Sequence, residues 1–166
     1  MGYYKLLGSR WNNNYLPVMI NQLFDIANVF VLPFWFLMIF LPKWNITKKV
    51  MESYLPFVAL AALYIFLFAN SLDAESAEAL ANPTLANIAQ AFSTETIAAT
   101  GWVHFLAFDL FVGRWIYQQG QETGVWTFHS LSLCLFAGPM GLLSHILTTW
   151  VTGKFFNSEE TTAAAS

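Results

Sequence analysis

Four long runs of apolar side chains dominate the chain, separated by short polar stretches. The first covers about residues 21–41, NQLFDIANVFVLPFWFLMIFL. The second covers about 54–72, the third about 97–117 and the fourth about 128–150. Each is close to the ~20 residues that an α-helix needs to cross a bilayer. In lipid every backbone amide must be satisfied within its own segment, so the runs predict helices. A β-barrel would need alternating strands, and these runs are continuously apolar. The expected fold is therefore all-α: an integral membrane four-helix bundle. Between spans two and three, TLANIAQAF follows Pro83 and places Leu85, Ile88, Ala89 and Phe92 on one helical face. That predicts a short interfacial helix.

Residues 1–20 read as a polar N-terminal segment, 21–152 as the membrane domain and 153–166 as a disordered polar tail. The N-terminal segment looks like neither a secretory signal nor a transit peptide. Pro33 and Pro139 each delete a backbone hydrogen bond within a span and predict kinks. Gly138, Pro139 and Gly141 make the start of span four the weakest stretch of regular helix. The linker with Lys43, Lys48 and Lys49 predicts a cytoplasmic loop, opposite the acidic stretch 73–99.

Composition agrees with the pattern. Hydrophobic residues make up 57% of the 166, and charged residues 10%, against about 25% charged in an average soluble domain. The net charge of −3 gives no reason to expect nucleic acid. The single cysteine, Cys134, excludes an intrachain disulfide and reads as a small buried side chain.

Few charges remain inside the spans, so each needs a reason. Alternating span direction would place Asp25, Asn28, His104 and His145 in one half of the membrane. Asp109 falls about 7.5 Å deeper than His104, at about 1.5 Å per residue. An aspartate at that depth costs about 2.5–3.5 kcal/mol unless it is paired, protonated or solvated. His104, Asp109 and Arg114 are spaced by five residues, which turns each about 140° from the last. They cannot share a face, so span three should be contacted on several sides. Arg114 could reach the headgroups. No nucleotide, zinc-protease or hydrolase motif is present, and no metal signature. A haem would need two facing histidines. His104 and His145 meet that by depth alone, and chance placement is the better account.

The stretch GWVHFLAFDLFVGRWI (Gly101–Ile116) resembles the signature of the ABA4-like family, small multi-span proteins of plants, algae and bacteria. FDIANVFVLPFWFLMIFLPKW (Phe24–Trp44) and GPMGLL (Gly138–Leu143) are similar to its first and last spans. The resemblance implies a link to carotenoids, since the plant member is needed to turn violaxanthin into neoxanthin. With no transit peptide visible, a bacterial inner membrane or cyanobacterial thylakoid location is expected. Opening an epoxide to an allenic alcohol is an isomerisation and requires no cofactor. It needs an acid, for which a protonated Asp109 is suited, and a base, for which His104 is suited. Asp25 or Arg114 would orient them. Asn28, His145, Trp102 and Trp115 are the candidate carotenoid-binding residues. The expected partners are the lipid bilayer and a carotenoid, as substrate or bound pigment. The alternative is a non-catalytic pigment-binding or assembly subunit of a photosynthetic membrane complex, with Asp109 and Arg114 as interhelical locks.

Overall fold

The computed structural model describes residues 15–72 and 74–163, so most of the expected N-terminal polar segment lies outside the described residues. Eight helices and no strand occur among them: α1 (Tyr15–Phe40), α2 (Asn45–Glu52), α3 (Leu55–Ser71), α4 (Ala74–Ala81), α5 (Leu85–Ala91), α6 (Glu95–Thr123), α7 (Phe128–Phe136) and α8 (Gly138–Ala163). Two of these, α1 and α6, are individually long and apolar enough to cross a membrane. α2 and α3 pass the same test as a pair bent by 43°.

The chain divides into two compact units: Met1–Phe30 with Val58–His104, and Val31–Phe57 with Phe105–Ser166. Among its described residues, the first unit buries Ala27, Leu60, Leu67 and Val103. The second buries Val31, Trp35, Met38, Leu110, Ile116, Leu131 and Cys134. Large apolar side chains also face outward, including Val29, Leu32, Phe36 and Phe40 along α1. In water such a stripe would be a liability, whereas in lipid it is ordinary surface.

Three features depart from the sequence expectation. The lysine linker is not a loop throughout, because α2 forms there. Thr47 and Met51 lie one turn apart and are both buried, and the Thr47 hydroxyl donates to the Leu41 carbonyl at 2.7 Å. The residues that look hydrophilic in sequence occupy the opposite face. α8 continues through residues 153–163, the stretch expected to be a disordered tail.

The third departure is larger. The expected fourth span is not one helix. α7 ends at Phe136, Ala137 takes an extended conformation (φ −160°, ψ 101°), and α8 starts at Gly138. The chain then folds back on itself. Ser130 meets Ser144 at 3.1 Å and His129 meets Thr148 at 2.8 Å. Fourteen residues of continuous helix would hold Ser130 and Ser144 about 21 Å apart. Pro139 explains the position of the break. It cannot donate inside a helix, but in a first turn its missing N–H costs nothing. Gly141 lets the arms close, since a Cβ there would collide with Cys134.

The short helix after Pro83 forms as α5, with the Thr84 hydroxyl accepting from Asn87 N–H at 3.2 Å as its N-cap. α4 precedes it.

Candidate functional site

The break at Ala137 creates a problem that Asp109 solves. A helix that starts within an apolar segment exposes amide N–H groups with no partner in their own helix. The Asp109 carboxyl group, on α6, lies directly against the backbone of Gly138, the first residue of α8. A carboxylate is suited to that end because the helix dipole is positive there. Gly138 is required for the approach: a Cβ at this position would occupy the space of the Asp109 carboxylate oxygen. The Cys134 thiol lies 3.4 Å from the Asp109 carbonyl, so α7 is tied to the same turn of α6.

Arg114 serves the other break. It is 7% exposed, so it does not reach out to headgroups as its place near the span end allowed. Its Nε–H donates to the Met51 carbonyl in the last turn of α2. Its guanidinium stands 4.4 Å from the Tyr54 ring centroid and 5.6 Å from that of Phe57. Carbonyls at a helix C-terminus attract a cation, and the rings supply a second attraction through their faces. Asp109 and Arg114 thus reach different helices, as their angular separation on α6 requires.

His145 is buried at 1% exposure, and its ring meets that of Trp115 edge-on at 5.4 Å. Two of the candidate binding residues are therefore in contact. Its Nδ1 has no hydrogen-bond partner among the described residues, and neither has Nδ1 of His129. The expected depth of His145 rested on a through-going fourth helix, and the reversal at Ala137 removes that basis.

In the first unit, the Trp102 indole N–H donates to the Asn28 side-chain oxygen at 2.8 Å. Asn28 Nδ2 donates in turn to the Phe24 carbonyl, also at 2.8 Å. The Phe24 ring tilts against Trp102 at 6.0 Å. His104 is exposed and lies 5.7 Å from the Tyr64 ring, which stacks on Phe68. Asp25 is exposed on α1. His104, Phe108, Phe111 and Trp115 recur at helical spacing and are all exposed. They give α6 an aromatic stripe with one imidazole at its end. Sequence reasoning did not pick out Tyr64, Tyr54 or the His129–Thr148 pair as site residues. Only His129 carried a signal, as a histidine within an apolar run.

No group of three or more His, Cys, Asp or Glu side chains fit to hold a metal occurs among the described residues. A cavity of about 240 Å³ lies against α4 and α5, lined by Glu78, Ala79, Asn87, Gln90 and Ala91. It contains none of the candidate residues.

Long apolar helices, outward-facing aliphatic and aromatic side chains, and charges spent on helix ends define an all-helical membrane protein. The chain belongs to the ABA4-like family, described as ABA DEFICIENT 4-like, whose profile matches residues 22–145. It is 40% identical over 133 residues to the protein ABA DEFICIENT 4, chloroplastic, of Arabidopsis thaliana. The match covers 77% of this chain and 60% of that relative, so the chain spans less than two thirds of its length. No solved structure matches.

Proposed function

We propose that the protein acts on a carotenoid in the membrane, and that its reaction is the isomerisation of a xanthophyll epoxide to an allenic alcohol. The observation that supports this most is the relation to ABA DEFICIENT 4 over most of the chain. The chemistry asks little of the protein. One proton goes to the epoxide oxygen as its C–O bond opens, and another leaves the polyene. Composition of the molecule is unchanged, so no oxidant or reductant is consumed. Asp109 and His104, five residues apart on α6, remain the acid and base candidates. His104 sits at the outer surface of α6 beside Tyr64, where a lipid-dissolved polyene arrives.

The test is conversion of violaxanthin by membranes containing the protein, with pigments resolved by chromatography. Wild type yields neoxanthin, whereas Asp109→Asn and His104→Gln lose at least about 100-fold of the rate. Full conversion by Asp109→Asn, in membranes that retain the protein, would falsify the acid assignment.

One observation favours a second reading. Asp109 and Arg114 are both engaged by helix ends, which is how locks in a non-catalytic pigment-binding subunit would look. Stoichiometric pigment in the purified protein, with no conversion, identifies that case.

A further inference from the structure

The linker between α1 and α3 is cationic and held in place. Residues 41–54 carry Lys43, Lys48 and Lys49 against a single carboxylate, Glu52, in a chain whose net charge is −3. α2 occupies the middle of this linker. Hydrogen bonds fix its backbone at both ends. The Thr47 hydroxyl donates to the Leu41 carbonyl at 2.7 Å, and the Tyr117 hydroxyl donates to the Pro42 carbonyl at 3.0 Å. Arg114 donates to the Met51 carbonyl at the far end. The lysines are therefore carried on an ordered surface.

The residues of α2 divide its circumference into three. Thr47 and Met51 are buried and mark the inward direction. At about 100° per residue, Lys48 and Lys49 fall to one side of that direction and Ile46 and Val50 to the other. Lys48 and Lys49 are exposed, and so is Lys43 just before the helix. Ile46 is 47% exposed, as is Trp44. The outward part of the helix is thus itself amphipathic, cationic on one flank and apolar on the other. Glu52 follows Lys48 by one turn and offsets only one of the lysines.

That division fits one kind of surroundings. In water the apolar flank would stand uncovered, and in hydrocarbon the lysines would be costly. The headgroup layer of a bilayer suits both. The lengths agree. α3 has 17 residues, about 25 Å of helix, which nearly fills a ~30 Å hydrocarbon core without help from α2. The 43° bend between them turns α2 away from the direction of that span.

We propose that α2 is a docking surface for anionic phospholipids. Lys43, Lys48 and Lys49 hold the negatively charged headgroups, while Ile46 and Trp44 enter the upper acyl layer. The segment holds lysines and no arginine. It therefore selects for negative charge through compact point charges, without the planar fork that would demand one headgroup shape. The proposal is independent of the carotenoid reading.

Phosphatidylglycerol and phosphatidylcholine are the probes, because one carries a net negative charge and the other none. The full-length protein is reconstituted in bilayers holding equal amounts of both and repurified in mild detergent. Its retained lipid is then measured by mass spectrometry. Wild type should retain phosphatidylglycerol over phosphatidylcholine about tenfold, within what lysines at headgroup level supply. Lys43→Gln, Lys48→Gln and Lys49→Gln together should bring retention to within about twofold of equal. These side chains are exposed, so the variant should keep the wild-type unfolding midpoint. Arginine at the same positions should keep the preference. Raising the salt to about 1 M, where charges are screened beyond about 3 Å, should weaken the wild-type preference severalfold. Equal retention of both lipids by wild type overturns the proposal and leaves the lysines to a water-soluble acidic partner. An undiminished preference in the triple glutamine variant places the lipid elsewhere on the protein and also overturns it.

Discussion

The chain breaks its helices at two places, between α2 and α3 and between α7 and α8, and the two breaks differ. Between α2 and α3 the chain bends by 43° and continues. Between α7 and α8 it turns back, so that Ser130 faces Ser144. Yet α6 treats both in the same manner. It supplies a cation, Arg114, to the Met51 carbonyl at the end of α2, and a carboxyl group, Asp109, to the backbone at the start of α8. The guanidinium matches the dipole at the end it meets. Charges inside apolar helices are commonly read as functional groups. Here their first physical task is to close breaks in the backbone that lipid would not tolerate.

The comparison can be broken most severely at Gly138. Gly138→Val puts a branched side chain where the Asp109 carboxylate sits. Denaturant unfolding in detergent should show a loss of about 3 kcal/mol, from overpacking together with the lost cap. Arg114→Leu comes next, at about 2 kcal/mol in the same measurement, because the Met51 carbonyl loses its partner and the Tyr54 face its cation. Arg114→Lys should recover part of this, since it keeps the charge but not the planar fork. At Asp109 the two substitutions should differ. Asp109→Leu removes the polar group at the start of α8 and should cost about 1–2 kcal/mol, whereas Asp109→Asn keeps an acceptor there and should cost roughly a few tenths. An Asp109→Asn protein that is stable yet inactive separates chemistry from capping. Trp102→Phe should have the smallest effect, about 0.6 kcal/mol, the average for a hydrogen bond between membrane helices. It removes only the donor to Asn28.

The contrast also shows what the sequence could convey. α1, α3 and α6 were legible because long apolar runs bounded by polar residues admit little else in lipid. The helix after Pro83 was legible from its one-sided apolar spacing. α2 was hidden: its buried face is only Thr47 and Met51, and its lysines dominate any average. The reversal at Ala137 was hidden for the opposite reason. Residues 128–150 are apolar throughout and of spanning length, so hydropathy reads them as one helix. Only Gly138, Pro139 and Gly141 hinted at weakness, and a weak spot does not announce a turn. For the site, the five-residue spacing correctly implied that Asp109 and Arg114 look to different helices. It could not say which, because that depends on where the backbone is broken. The His129–Thr148 contact lay beyond reach, since it depends on Thr148 arriving from the other arm.

The turn at Ala137 has a consequence for sidedness. α7 has nine residues, about 13 Å of helix, less than half of a ~30 Å hydrocarbon core. α8 then retraces that depth, bringing Thr148 level with His129. The stretch from Phe128 to Thr149 therefore makes no net crossing. A reporter inserted after Thr149 should read the same compartment as one inserted in the 124–127 linker, where a through-going helix would set them on opposite faces.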